Sequence, residues 1–427
     1  MKITKRATSL LTATALSLAG ALGLAYEADA REPKRPPPET KKVEAVTKAT
    51  YDKLTKAHEH LNTDPPQTAQ AAKILQGLLK SDKLNNHERS LAHQTYGYLY
   101  AGQENYPQAI ASFRKCLQLG GLPDASALNT EYNLAQLYLV TEQFDLGIKT
   151  LKAWLDKVEN PGPSAYMMMA NAYAQKENYR EALNWAEQGL AKMNPEKPRE
   201  NWIRLVMQLN LSLERYKQAL PYLEQLTRQW PKKTYFMQLA AIYGETGQNT
   251  KSLVVLELAY HQGWLEKTRE LERLCQMFLY HEIPYKCGVL GEKHLGDGSM
   301  ESNQKNWELL ANAWTLSQEY DKALKPLERA ASLADKGELF VRLGQIHIDG
   351  ERWAPAEKAL RRALDKGELN NPGQAKLLLG ITFFNRKKFD SAANWFRQAR
   401  SHPKTRRDAN SWLTAIRARG DFAPVGG

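Results

Sequence analysis

The chain has 427 residues, 42% of them hydrophobic, and a formal net charge of +12 at pH 7. A chain of this length must bury its apolar residues in a large core, or in many small cores strung together. Its three cysteines are too few for a scaffold that is held together by disulfides.

The first 30 residues predict export. A positive head at 2–6 precedes an uncharged run of Leu, Ala, Thr, Ser and Gly at 9–25, and Ala28 and Ala30 are small where signal peptidase needs small residues. We therefore expect a signal peptide over 1–30, a mature chain beginning at Arg31, and a periplasmic location. The alternative is a membrane anchor, but a run of about 17 residues is at the lower limit for a bilayer span. No later stretch is long and apolar enough to span a membrane.

Cleavage would leave a net charge of +11, because residues 1–30 hold three positive and two negative side chains. In a cytosolic protein, a positive net charge of this size would suggest that nucleic acid is the partner, but the predicted export argues against it. We expect the charge to be scattered along the chain. Phospholipid head groups, anionic glycans, acidic proteins and no partner at all remain open.

A basic, proline-rich tether is predicted over 31–48, since "REPKRPPPET" has nothing to bury. From 49 to 400 the sequence then repeats with a period of about 35 residues, the first unit at 49–80 being degenerate. Each later unit has a small residue. An aromatic residue usually stands three positions after it, and a second small residue stands twelve positions after it. The first small position holds Gly97, Ala135, Ala170, Met207, Ala240, Cys275, Ala311, Gly344 and Gly380. The second holds Ala109, Gly147, Ala182, Ala219, Ser252, Cys287, Ala323, Ala356 and Ala392.

This spacing predicts two short antiparallel helices per unit, since small residues let two helix axes approach closely. Segments such as "NYREALNWAEQGL", "EYDKALKPLERAASL" and "KFDSAANWFRQA" resemble tetratricopeptide repeats. The resemblance implies an all-α solenoid, a right-handed superhelix of about ten antiparallel helix pairs. Residues 401–427 should form a capping helix, near 409–418, and a flexible tail.

A narrower resemblance covers "WIRLVMQLNLSLERYKQALPYLEQLTRQWPKKTYFMQLAAIYGETGQ", "LELAYHQGWLEKTRELERL" and "IPYKCGVLGEKHL". These stretches are similar to secreted repeat proteins encoded beside TonB–ExbB–ExbD energy-transduction systems of Gram-negative bacteria. That family implies a periplasmic accessory of the TonB complex, with TonB-, ExbB- or ExbD-type proteins as partners. The alternatives are an adaptor for outer-membrane, pilus or polysaccharide assembly, and a glycan- or peptidoglycan-binding protein.

No catalytic, cofactor or metal motif is recognisable. His58 and His60 are two residues apart, so they point to different sides of a helix, and no H-E-x-x-H is present. The glycines at 288–298 lack the spacing and the lysine of a phosphate-binding loop. The sequence therefore favours a non-catalytic interaction scaffold.

A partner is expected in a groove formed by the first helix of each pair. Amide, Arg, Tyr and Met side chains there suit hydrogen bonding to a peptide and adaptable contact. By position within each unit, the candidate groove residues are Tyr98, Tyr132, Asn133, Gln136, Met168, Asn171, Gln175, Arg204, Gln208, Gln238, Asn312, Arg342 and Gln345. We also expect Met167 to point partly into this groove and Met169 to lie in the core.

Cys275 and Cys287 occupy the two small positions of one unit, which face each other across its two helices. They could bridge in an oxidising compartment, or they could replace alanine as unpaired residues. The second reading is favoured here, because the geometry of a helix pair seldom suits a disulfide.

Overall fold

The computed structural model describes residues 42–418, and this part of the chain contains 21 α-helices and no strand. The all-α fold class is therefore confirmed. The predicted signal peptide, most of the tether and the last nine residues lie outside the described residues. No helix between residues 42 and 418 is long and apolar enough to cross a membrane.

The chain divides into two compact units between Lys157 and Val158. The first unit contains α1 (Lys48–Leu61), α2 (Thr68–Leu79), α3 (Asn86–Gly102), α4 (Tyr106–Leu119), α5 (Asp124–Val140) and α6 (Phe144–Leu155). The second contains α7 (Pro163–Gln175), α8 (Tyr179–Ala191), α9 (Glu200–Ser212), α10 (Tyr216–Gln229), α11 (Lys233–Glu245), α12 (Asn249–His261), α13 (Thr268–Tyr280), α14 (Pro284–Gly296), α15 (Gln304–Leu316), α16 (Tyr320–Leu333), α17 (Glu338–Asp349), α18 (Trp353–Lys366), α19 (Pro372–Asn385), α20 (Phe389–Arg400) and α21 (Arg406–Ala418).

Helices α1 to α20 form ten pairs, each an odd-numbered first helix packed on the even-numbered second helix that follows it. Within each unit, the second helix of a pair also packs on the first helix of the next pair. Each pair thus buries one face internally and another against its neighbour, as stacked repeats do. The number of pairs agrees with the sequence period.

The small residues of the repeat lie where the two helices of a pair touch, and both small positions are buried in all nine later pairs. A Cβ added to Gly97 would overlap the ring of Phe113, and one added to Gly380 would overlap the ring of Phe396. Size at these positions is therefore limited by the close approach of the helices.

The turn inside each of the nine later pairs has the same length and geometry. It has three residues. The N–H of the third residue donates to the carbonyl of the residue five positions earlier, with N···O distances of 2.7–2.9 Å. That carbonyl belongs to the position that is usually aromatic, for example Tyr100 and Trp314. The middle residue is left-handed and is a glycine only at Gly247; in the other eight turns its φ lies between 55° and 61°, as at Glu104. Backbone hydrogen bonds thus hold a conformation that glycine usually adopts at helix ends.

The first pair and the connectors between pairs are less regular. The turn between α1 and α2 has six residues, in keeping with the degenerate first repeat predicted at 49–80. The connectors between pairs range from three to eight residues.

The last helix, α21, covers the apolar face of the final pair. It starts at Arg406, three residues before the predicted helix, because a 3-10 turn at Pro403–Thr405 leads directly into it. Its Leu413 and Ile416 are buried, and Trp412 stacks on Phe396 with ring centroids 5.5 Å apart.

Cys275 on α13 and Cys287 on α14 are joined by a disulfide, with Cα atoms 4.5 Å apart. The prediction that these two cysteines are unpaired is therefore wrong. The two small positions of a pair face each other, and this brings the two helix backbones close enough for a disulfide. Cys116 is unpaired and buried, and burial raises the pKa of its thiol to about 12.

Glu88 fastens the start of α3 to the start of α1. Its carboxylate accepts from the Thr47 N–H at 2.8 Å, the Thr47 hydroxyl at 2.7 Å and the Asn85 N–H at 3.1 Å. Burial by itself raises the pKa of Glu88, but these hydrogen bonds outweigh it and lower the pKa from 4.5 to about 2. The ionised form is thus the one that stabilises the fold.

We expect Glu88→Gln to lower the free energy of unfolding of the first unit by about 1–2 kcal/mol at pH 7, because charge-assisted hydrogen bonds are lost. A depressed pKa stabilises the fold above pH 4.5, and the contribution is lost as the pH falls towards 2. Urea unfolding at pH 7 and pH 2.5 measures this. A difference between variant and wild type that does not shrink in acid would contradict the assignment.

Candidate partner-binding surface

In the second unit, the first helices of five pairs carry a row of amide side chains. Each stands directly after the buried small residue of its helix, so all occupy the same place on their pair. We call Asn171, Gln208, Gln276, Asn312 and Gln345 the amide row. Ala241 and Ile381 occupy this position in α11 and α19 and interrupt the row. The first three amides are exposed and the last two are half-buried.

An open pocket of about 530 Å³ lies where the row passes from α13 to α15. It is lined by Gln276, Asn303, Gln304, Lys305, Glu308, Leu309 and Asn312. The pocket brings two members of the row, one from each helix, to a single surface depression. Four of its seven lining side chains are amides, which present a donor and an acceptor together.

Two cations at this pocket, Lys305 in its lining and Arg342 beside it, are engaged by the protein's own side chains. The ammonium of Lys305 binds the carboxylate of Glu272, which is only 8% exposed. The guanidinium of Arg342 donates to the side-chain oxygen of Asn312 and, at 3.4 Å, to the hydroxyl of Thr315. Arg342 thereby fixes the orientation of the Asn312 amide, whose NH₂ group is the end left to donate. The predicted residues Asn312 and Arg342 are therefore brought together.

Several other predicted residues of the second unit take part in the protein's own packing. Arg204 lies close enough to Glu200 for electrostatic attraction, and the Glu200 carboxylate accepts hydrogen bonds of 2.5 Å from Lys232 and from the Tyr235 hydroxyl. The hydrogen bond from Lys232 is the main cause that lowers the pKa of Glu200, while burial and this carboxylate raise the pKa of Tyr235 to about 12. This ionic cluster connects α9 with α11.

The side chain of Gln238 is half-buried, and its oxygen has no hydrogen-bond partner among the described residues. Gln345 donates to Asp349 at 2.7 Å on its own helix.

On α7, Met168 is half-buried, and Asn171 and Gln175 are exposed. Met169 is fully buried as expected. The expectation that Met167 points partly into the groove is wrong, because its side chain is 2% exposed and packs against Gly189 of α8.

The predicted residues of the first unit lie on α3 and α5. Asn133 donates to the Tyr98 hydroxyl at 3.2 Å, which joins α5 to α3, and Gln136 is half-buried nearby on α5. Tyr132 packs on Trp154 with ring centroids 4.7 Å apart, and burial raises its pKa. Tyr98 is 41% exposed and is the more accessible of the two tyrosines.

Sequence reasoning missed most of the pocket. Gln276 follows Cys275 just as Asn312 follows Ala311, so the same count along the repeat would have found it. Asn303 and Gln304 come from the connector before α15 and its first residue, where the repeat pattern gives no signal. In the described part of the chain, no group of three or more His, Cys, Asp or Glu residues could hold a metal ion.

Comparison with known families decides the identity of the repeat. Sequence models of the tetratricopeptide repeat match residues 91–119, 163–191 and 341–408. The chain contains tetratricopeptide repeats. Proteins of this kind are typically non-catalytic scaffolds. No curated protein sequence matches the chain.

Several solved tetratricopeptide-repeat structures are similar. One is a tetratricopeptide-repeat protein from Parabacteroides merdae, with 14% identity, a TM-score of 0.31 and coverage of 60% of this chain and 98% of that one. Another is YrrB, "a TPR protein with an unusual peptide-binding site", with 17% identity, a TM-score of 0.35 and coverage of 43% and 89%. A third is the TPR2AB-domain:pHSP90 complex of yeast Sti1, with 13% identity, a TM-score of 0.35 and coverage of 63% and 99%.

Proposed function

We propose that this protein is an interaction scaffold that binds an extended segment of a partner protein along the amide row. The observation that carries the proposal is the pocket between α13 and α15, where Gln276 and Asn312 line one depression. Amide side chains can donate to the carbonyls and accept from the N–H groups of an extended peptide. The nearby charges of Lys305 and Arg342 are already engaged with the protein's own side chains.

We further propose that the scaffold works in the periplasm as an accessory of a TonB-type complex. The support for this client is the signal-peptide pattern of residues 1–30 and the resemblance of residues 202–295 to the secreted repeat proteins of TonB–ExbB–ExbD systems. A repeat surface on a proline-rich tether suits the bridging of two partners in the periplasm.

Site-specific photo-crosslinking tests the binding surface. A benzophenone side chain at position 276 should capture a partner in intact cells, whereas the same group at the exposed Glu292 of α14 should not. In a protein carrying the benzophenone at position 208, Gln276→Ala together with Asn312→Ala should reduce capture at least tenfold without unfolding, because helix positions of this kind tolerate alanine. The matched control is Glu292→Ala with Lys325→Ala on second helices. Equal capture from both faces would refute the amide row.

The identity of the captured protein tests the client separately. Recovery of a TonB-, ExbB- or ExbD-type protein, and impaired TonB-dependent uptake in a deletion strain, are the expected results. Normal uptake, with capture of a protein of outer-membrane, pilus or polysaccharide assembly, would replace the client and keep the scaffold.

A further inference from the structure

The positive charge of the protein is concentrated at its C-terminal end. Residues 386–418 contain nine Lys or Arg and two Asp or Glu, a net charge of +7, whereas residues 42–385 contain 42 basic and 40 acidic residues, a net charge of +2. The expectation that the charge is scattered along the chain is therefore wrong. Helix pairs elsewhere hold acids and bases in similar numbers, whereas in residues 386–418 the bases outnumber the acids nine to two.

These charges lie on the outside of the final pair and of α21. Lys387, Lys388, Lys404, Arg406, Arg407 and Arg417 are all exposed, and we call them the basic end. At 1.5 Å per residue, Arg407 and Arg417 stand about 15 Å apart along α21. Lys387 and Lys388 stand directly before α20, which packs against α21. The six cations therefore cover a broad surface.

A cap needs a polar outer face to keep a repeat protein soluble, but it does not need a single sign. The other pairs achieve polarity with near-equal numbers of acids and bases. A surface of one sign costs self-repulsion and attracts polyanions over several ångströms.

Two features of the surface limit how it can bind a polyanion. The apolar residues of α21, such as Leu413 and Ile416, are buried against the final pair, so they are not available for insertion into a bilayer. Trp412 is half-buried and held between Phe396 and Phe384, so it cannot stack on a nucleic-acid base. We propose that the basic end binds the phosphate head groups of an anionic phospholipid membrane by charge alone. This leaves the amide row on other helices available for a protein partner.

Vesicle co-sedimentation with the full chain tests the proposal. The protein should bind vesicles that contain 30% phosphatidylglycerol in phosphatidylcholine, should not bind pure phosphatidylcholine, and should be released by about 0.5 M salt. Each basic residue near an anionic bilayer contributes about fivefold in affinity, so Lys404→Gln, Arg407→Gln and Arg417→Gln together should weaken binding on the order of 100-fold.

Two control variants accompany this triple variant. Arg407→Lys with Arg417→Lys keeps the charge and should bind like the wild type. Arg180→Gln, Lys217→Gln and Lys358→Gln remove three exposed cations from other pairs and should change binding less than fivefold. Vesicle binding that the triple variant retains would overturn the proposal. So would a preference for duplex DNA or polyglutamate over the vesicles in the same assay.

Discussion

Replacing Phe396 by alanine should lower the free energy of unfolding of the C-terminal pairs by about 3–5 kcal/mol, the usual cost of removing a buried aromatic side chain. The ring is fully buried, lies over the backbone of Gly380 and stacks on Trp412. Its removal would leave a cavity that joins α19, α20 and α21. The effect should therefore extend to the cap, which depends on this ring for one side of its contact.

Hydrogen exchange followed by mass spectrometry measures this effect where it arises, since repeat proteins open locally. Faster exchange is expected in α19 to α21 and unchanged exchange in α7 to α10. Phe396→Leu is the matched control and should cost less, because it keeps most of the buried volume. Uniformly faster exchange across the second unit would contradict a local role of the ring.

Gly97→Ala and Gly77→Ala should have opposite effects on the stability of the first unit. A Cβ at position 97 would overlap the ring of Phe113, which is 1% exposed and cannot move aside, so we expect a loss of about 2–3 kcal/mol from overpacking. A Cβ at position 77 on α2 has nothing within 4 Å, so alanine there should gain about 0.5–1 kcal/mol from helix propensity.

Urea unfolding of the two variants, monitored by circular dichroism, gives the comparison directly. A difference of about 3 kcal/mol between them is expected from overpacking and propensity together. If both alanines stabilised the protein, the close approach of α3 and α4 at Gly97 would not exist in solution.

The repeat pattern predicted most of the fold because its two small positions have one physical cause. Where the two helix axes of a pair approach closely, the sequence shows Gly, Ala, Ser or Cys at a fixed spacing, with Met207 as the one larger residue in the nine later pairs, and the structure buries each of these residues. Features without such a recurring cause were not predictable. The 3-10 turn at Pro403–Thr405 occurs once, and the expected helix therefore began three residues late.

The candidate site was predicted less completely than the fold. The repeat register identified Asn312 and Gln208, because it says which position follows a buried residue. It does not say which polar side chains are engaged inside the protein, and Arg204 lies in an ionic cluster that links α9 and α11. The repeat pattern also does not indicate which connector residues, such as Asn303, line the pocket.

The contrast between the two kinds of connection limits how the chain can change in length. All nine turns within the later pairs have three residues, and one backbone hydrogen bond of 2.7–2.9 Å closes each of them. An added residue there would break that bond and rotate the second helix, so that its apolar face would turn away from its partner. The connectors between pairs already vary from three to eight residues. A reporter domain should therefore be accepted at 192–199 and rejected at 213–215, and lineages that lengthen or shorten this protein should do so in whole pairs.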